Sequence, residues 1–317
     1  MSQIFDALQK AEGGDAGTDS PTPPEATELL QRAERKAAAR WEAKATPDRG
    51  VASAPEESVG VPPRAAEAAL DGFEKIQRLQ VSLAPQSRLV CLTEGDSPAS
   101  EAFRLLGVRL RQMRRDNPMK RVLITSTSPQ EGKSMVAANL ACTLALKAEL
   151  KVLLVEGDLR RPSLTQMFAM EGKPGLCECL ESDRPVAKSL YYLEGPNLWM
   201  LPAGSASSNA LDLLQAGRLP ALMDQLGAWF DWIIIDAPPV LPLADTSVWT
   251  RIAEGILLVT RPGVTRKQQL LKGVEALDVK KLLGALVNCS RLVDHDDYNY
   301  YYRGSPNVLK TNYAPAK

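Results

Sequence analysis

From Lys120 onward, short apolar runs recur with helix-like stretches between them, and this alternation constrains the fold more than any other feature. The runs are VLIT (122–125), VLLV (152–155), LWML (198–201), WIII (232–235), ILLV (256–259) and ALV (285–287). Several lack any polar residue, as strands buried on both faces do. Helix-like segments fall between them, around 133–147, 208–228, 243–252 and 265–279. The alternation predicts an α/β domain, a parallel sheet with helices on both faces. Ligands of such sheets sit beyond the carboxyl ends of the strands, so the residues that close each run are where chemistry is sought.

The N-terminal part is of another kind. In residues 1–12, Ser2 caps a short helical pattern with Ile4, Phe5 and Leu8 on one side. A helix this short is unstable alone in water, and it is expected to dock on a partner. Residues 13–75 are rich in Pro, Ala, Glu, Gly and Ser. They hold too little apolar surface to offset chain entropy and are expected to form a disordered linker. The folded domain is placed at 76–293 and a flexible, tyrosine-rich tail at 294–317. No run reaches the ~20 apolar residues of a membrane helix, and MSQIFDALQK is not a secretory signal. The expected location is therefore cytoplasmic, with any membrane role exerted through a partner. Lys+Arg and Asp+Glu both number 38, so nothing argues for nucleic-acid binding. Of five irregularly spaced cysteines, Cys177 and Cys179 lie close together. With no second pair and a single histidine they are read as partly buried thiols, not metal ligands.

The first strand leads into STSPQEGKSMVAANLA, where Gly132-Lys133-Ser134 opens a helix directly after a loop. Strand, loop and helix together make a phosphate-loop reading credible. Gly132 lets the backbone approach a phosphate, the helix start offers free N–H groups, Lys133 brings a mobile positive charge, and Ser134 offers a hydroxyl to Mg²⁺. The usual spacing wants glycine at Thr127, so the motif is a variant. Two acidic strand ends support the reading. VLLVEGDLRRP (152–162) sets Glu156 and Asp158 past a buried strand beside Arg160 and Arg161, and WIIIDAPP (232–239) ends a strand on Asp236. A carboxylate there holds Mg²⁺ or its water.

These motifs together resemble the bacterial tyrosine kinases of capsule and exopolysaccharide synthesis, the CpsD/CapB family. Those are deviant P-loop proteins related in fold to the MinD/ParA ATPases. The resemblance runs from Ser97 to Tyr302. SPASEAFRLLGVRLR (97–111) is similar to the family's helix before the P-loop, TSTSPQEGKS (125–134) to its Walker A, and VLLVEGDLRRPSL (152–164) to its second acidic motif. LPAGSASSNALDLL (201–214) and FDWIIIDAPPVLPLADT (230–246) match further segments, and DDYNYYYRG (296–304) resembles the tyrosine cluster these enzymes phosphorylate on one another.

The resemblance implies ATP and Mg²⁺ as cofactors. It implies nucleotide contacts from Ser128, Gln130, Glu131, Gly132, Lys133, Ser134, Arg160 and Asn288, the last against adenine. It gives Ser134, Asp158 and Asp236 to the metal. Glu156 stands where the family has the aspartate proposed to activate the tyrosine hydroxyl. The acceptors implied are Tyr298, Tyr300, Tyr301, Tyr302 and Tyr313; four of the chain's seven tyrosines lie within 298–302. Glu101 and Arg104 fit an oligomerisation pattern, which implies self-association, in the family's manner a ring. A membrane polysaccharide co-polymerase is implied as activator, since MSQIFDALQKAE resembles members whose membrane partner is separate. Three departures stand out: Glu156 for Asp, Gln130 for Gly, and Gly107 where the oligomerisation pattern has its last arginine. Two other readings compete. A MinD/ParA-like switch ATPase would carry a second lysine where Ser128 stands, and a catalytically weak nucleotide-sensing scaffold draws on the Glu156 substitution.

Overall fold

The structure is a computed structural model and describes residues 76–81, 88–95, 97–147, 149–182, 184–205, 209–241 and 244–289. These lie in the unit spanning Val61–Lys317. The expected docking helix, the linker and the five tail tyrosines lie outside the described residues.

One eight-stranded sheet organises the domain. Its strands are β1 (Gln77–Gln80), β2 (Arg121–Ser126), β3 (Val152–Glu156), β4 (Tyr191–Glu194), β5 (Leu198–Leu201), β6 (Trp232–Asp236), β7 (Gly255–Thr260) and β8 (Leu282–Val287). They lie in the order β1-β4-β5-β3-β6-β2-β7-β8. The helices are α1 (Val90–Thr93), α2 (Pro98–Asp116), α3 (Lys133–Ala145), α4 (Leu164–Met167), α5 (Leu176–Glu181), α6 (Ala210–Gln215), α7 (Arg218–Trp229), α8 (Asp245–Ile252) and α9 (Lys267–Glu275).

Every apolar run of the sequence falls in a strand, and the central strands alternate between two cores as the two-residue period of a strand demands. Leu153, Val155, Ile233 and Ile235 face one buried cluster, which α7 and α8 cover. Val152, Leu154, Trp232 and Ile234 face the other, which α2 and α3 cover. Nearly all of α3 is buried, so the helix that begins at the phosphate loop is held rigid by packing rather than by propensity.

The sheet departs from all-parallel at one edge. β4 runs antiparallel to β5, and β1 pairs in parallel with β4. A tight turn joins β4 to β5, with Asn197 at φ 52, a left-handed conformation that asparagine tolerates. β1 and β4 were absent from the apolar pattern because they lie toward this edge, where solvent takes one face: β1 is largely exposed and β4 alternates. Tyr191 and Tyr192 lie in β4, Tyr191 buried and donating its hydroxyl to the Pro174 carbonyl at 3.2 Å. Cys177 and Cys179 are buried in α5, and burial pushes the Cys177 thiol up to about 12.

Candidate functional site

Three strands end at one place. β2 and β3 flank β6 in the sheet, with Ile124 and Glu156 both in register with Asp236. The loop after β2 therefore lies beside the loop after β3, with the end of β6 between them. Gly132 caps α3 at φ 91, and a Cβ there would stand 2.1 Å from Asn288 Nδ2. Only glycine suits both the dihedral and the space. From this cap the first N–H groups of α3 point outward without intrahelical partners, a ready anion site.

Lys133, the first residue of α3, folds its side chain back over the strand ends. Its Nζ lies 3.0 Å from Asp158 Oδ2, 3.6 Å from Asp236 Oδ1 and 3.2 Å from Ser134 Oγ. Burial works to lower its pKa, but Asp236 and Asp158 outweigh that, and the net shift is upward. Burial pushes the Asp236 carboxyl up to about 6, against the pull of Lys133. Both Asp236 oxygens are buried without a hydrogen-bond partner among the described residues, and so is Ser163 Oγ. Beside them opens a cavity of about 610 Å³, lined by Gln130, Gly132, Lys133, Ser134, Asp158 and Arg160 among others.

That donor set fits a hard cation. Mg²⁺ takes oxygen ligands, typically one or two carboxylates completed by water and substrate phosphates. Asp158, Asp236 and the Ser134 hydroxyl supply that chemistry, and the unpartnered Asp236 oxygens are the atoms such an ion would satisfy. Among the described residues no group of three or more His, Cys, Asp or Glu forms a metal cage.

Other expected site residues are placed differently. Glu131 is fully buried and staples the loop from within: Oε2 accepts from Ser128 N at 2.9 Å, and Thr265 Oγ1 donates to Oε1. Asn288, at the end of β8, donates from Nδ2 to the Glu131 carbonyl at 2.9 Å. Its amide thus clamps the phosphate loop. Arg160 is bidentate on Asp245, at 2.6 and 3.2 Å. Glu156 lies in register with Asp236, yet its carboxylate turns under the acidic loop. It accepts from Leu164 N at 2.6 Å, Thr165 N at 3.1 Å, Ala203 N at 3.1 Å, and the Thr165 hydroxyl. Of the four motif residues, Lys133, Asp158 and Asp236 are joined directly and Glu156 is not. Glu101 and Arg104 pair on α2 at 2.9 Å, half-exposed.

Several supporting residues carried no sequence signal. Gly157 donates to the Asp236 carbonyl at 2.8 Å, and a Cβ on it would meet the Trp249 ring at 2.8 Å. Trp249 Nε1 in turn donates to the Gly157 carbonyl at 3.1 Å. Gly157, Trp249, Asp245 and Thr265 act through contacts across the fold, which no local pattern in the sequence marks.

No family model matches the chain. It is 35% identical over 218 residues to the tyrosine-protein kinase YwqD of Bacillus subtilis (strain 168), covering 68% of this chain and 92% of YwqD. To the succinoglycan biosynthesis transport protein ExoP of Rhizobium meliloti (strain 1021) it is 31% identical over 221 residues, 68% of this chain but 27% of ExoP. The kinase domain of the Escherichia coli tyrosine kinase ETK superposes with a TM-score of 0.61 at 26% identity, covering 68% of this chain and 85% of that one. The sheet order and the lysine at the start of α3 put the chain among the P-loop nucleotide-binding proteins. The likeness to YwqD over nearly its whole length narrows this further: the chain belongs to the bacterial tyrosine-protein kinase family.

Proposed function

We propose that this protein is an ATP-dependent protein-tyrosine kinase that phosphorylates Tyr298, Tyr300, Tyr301, Tyr302 and Tyr313 on neighbouring copies of itself, in the service of exopolysaccharide or capsule synthesis and export. One observation carries the reading: Lys133 sits at a helix N-terminus between two strand-end aspartates, 3.0 and 3.6 Å away. Phosphoryl transfer asks a protein chiefly for positioning and charge. Lys133 and the α3 N–H groups would receive the β and γ phosphates, drawing the lysine off its carboxylates. Mg²⁺, held by Ser134, Asp158 and Asp236, would supply further positive charge to the phosphates. Arg160 and Arg161 line the same cavity, and Arg160 keeps its bond to Asp245. Asn288 has Nδ2 committed to Glu131, which leaves Oδ1 to meet a purine.

Self-association is proposed through α2, which exposes Leu105, Val108 and Met113 alongside the Glu101–Arg104 pair. A tail phosphorylated several times gains about −1.5 to −2 charges per site, which would loosen that assembly. Among the described residues no helix is long and apolar enough to cross a membrane. Recruitment by the cytoplasmic segment of a membrane co-polymerase is therefore proposed as the activating step, with residues 1–12 as the docking element. The test is a phosphotyrosine assay, with and without such a segment, on the natural chain, Lys133→Met and a form with all five tail tyrosines changed to Phe. Signal from the natural chain alone is expected, with Lys133→Met reduced at least ~100-fold. ATP hydrolysis without phosphotyrosine, partner present, would overturn the kinase reading in favour of a switch. A scaffold with weak catalysis is the second reading, favoured by the engagement of Glu156 by four donors; nucleotide binding without either activity would select it.

A further inference from the structure

The resemblance gives Glu156 the part of proton acceptor for the tyrosine, but the position of its carboxylate argues for another. We infer that Glu156 is a positioning residue: it fastens the 157–165 loop to the sheet and to Ala203, and another group receives the proton. This rests on the tyrosine-kinase reading above.

An ionised carboxylate offers about four lone-pair sites. Four donors occupy those of Glu156: the backbone N–H groups of Leu164, Thr165 and Ala203, and the Thr165 hydroxyl. A general base needs a lone pair within hydrogen-bond reach of the hydroxyl it deprotonates. Glu156 is fully buried and does not line the cavity that Lys133 and Asp158 line.

The bonds it makes have a mechanical meaning. The loop they hold carries Asp158, Arg160, Arg161 and Ser163, all of which line the cavity. One end of this loop is fixed by Gly157 N on the Asp236 carbonyl at 2.8 Å. The other end, at Leu164 and Thr165, is fixed by Glu156. Removing the second attachment leaves Asp158 on a loop held at its start by Gly157 and in its middle by the Arg160–Asp245 pair, with its far end loose.

The length of the side chain fits the role. A shorter aspartate at 156 would withdraw its oxygens by about one C–C bond, ~1.5 Å. The 2.6 Å bond to Leu164 N and the 3.1 Å bond to Ala203 N would then both pass beyond hydrogen-bond length. Glutamate, the departure from the family pattern, is the residue that spans this gap.

The experiment compares Glu156→Asp, Glu156→Gln, Thr165→Val and Thr165→Ser with the natural chain, measuring kcat against pH for phosphotyrosine formation and the affinity for Mg²⁺·ADP. A positioning residue predicts losses of ~10-fold or more in both rate and affinity for Glu156→Asp and Glu156→Gln. It also predicts that Thr165→Val, which touches no substrate, copies them in lesser degree, that Thr165→Ser restores the hydroxyl bond and behaves as the natural chain, and that the acid limb of the rate profile stays in place throughout. The idea is overturned if Glu156→Asp matches or exceeds the natural rate. It is also overturned if Glu156→Gln erases the acid limb while Mg²⁺·ADP affinity and the Thr165→Val protein are unaffected. Should Glu156→Gln fail to fold, the Thr165 pair still decides. Should the natural chain make no phosphotyrosine, the kinase reading fails, and the affinity series still reports on the strut.

Discussion

The two loops that meet at the cavity are held in opposite ways. The phosphate loop is tied by many modest bonds from separate sources. Asn288 grips the Glu131 carbonyl, Thr265 reaches the Glu131 carboxylate, Ser128 N bonds the same side chain, and Ser126 Oγ bonds the Ser128 carbonyl at 2.8 Å. The Arg160–Asp245 pair holds the middle of the acidic loop, and its far end depends on one buried carboxylate, that of Glu156. A segment with distributed anchors loses little when one goes, whereas a loop end that hangs on one buried side chain loses its order there when that side chain goes. The contrast suits their proposed tasks. The phosphate loop must keep its shape through every cycle of nucleotide exchange, while the acidic loop must carry Asp158 to one place beside Asp236.

Glu156→Ala is the sharpest way to break the comparison. It strands four buried donors, and unsatisfied buried groups cost about 1–3 kcal/mol each before relaxation. A net loss of about 3–5 kcal/mol is expected in a urea titration. A loss below 1 kcal/mol would show that the acidic loop has other anchors.

Asp236 lies between the loops and gives a pH signature. Its folded pKa is raised, to about 6 from 3.8. The folded state therefore binds a proton more tightly than the unfolded chain, and the stability this confers is present below ~4 and lost as pH rises through ~6. Asp236→Asn removes the dependence. The stability difference between variant and natural chain should move in the variant's favour by up to about 3 kcal/mol between pH 4 and 7. A difference flat in pH would mean that Lys133 holds Asp236 ionised throughout.

On the phosphate loop the expected losses are smaller. Gly132→Ala combines a left-handed φ of 91 with a Cβ 2.1 Å from Asn288 Nδ2, so it strains the backbone and displaces the clamp, for about 2 kcal/mol. Asn288→Ala removes the clamp alone. With Thr265 and Ser128 still on Glu131, about 1 kcal/mol is expected in the melting profile, with faster amide exchange confined to residues 128–132. Equal losses for Asn288→Ala and Glu156→Ala would erase the distinction between the loops.

How much of this was legible follows the range of the interactions. Lys133, Asp158 and Asp236 could be read as one site because each ends or follows an apolar run, and a parallel sheet brings such ends and the loops after them together without further information. Glu156 could be placed at the strand end but not oriented, because its direction depends on Thr165 and on Ala203, 47 residues away. Asn288 was read for adenine, and its grip on the phosphate loop spans 157 residues. The bond from Arg160 to Asp245 is of the same kind, across 85 residues. The edge pair β1 and β4 escaped notice because a half-solvated strand leaves only weak alternation. Patterns that repeat along the chain were visible; single side chains that meet across the fold were not.

Gln130 offers the smallest effect and the finest test of the contrast. It holds φ 66, a region where a side chain costs roughly 1–2 kcal/mol and glycine almost nothing. Its carbonyl accepts a long bond from Arg261 Nη1 at 3.4 Å, which glycine would keep. Gln130→Gly thus relieves strain in the folded loop. It also enlarges the freedom of the unfolded chain, which works the other way by about 0.4–1 kcal/mol. The two nearly cancel, and a stability change within about 1 kcal/mol is expected, in the stabilising direction. If the distributed anchors hold the loop, nucleotide affinity should also stay within about 2-fold, since the bonds to Glu131 impose the shape whichever residue stands at 130. A 10-fold loss of affinity with stability unchanged would show that the Gln130 side chain, which lines the cavity, or the restriction it puts on the backbone is needed beside the network around Glu131 to keep the loop ready for phosphate.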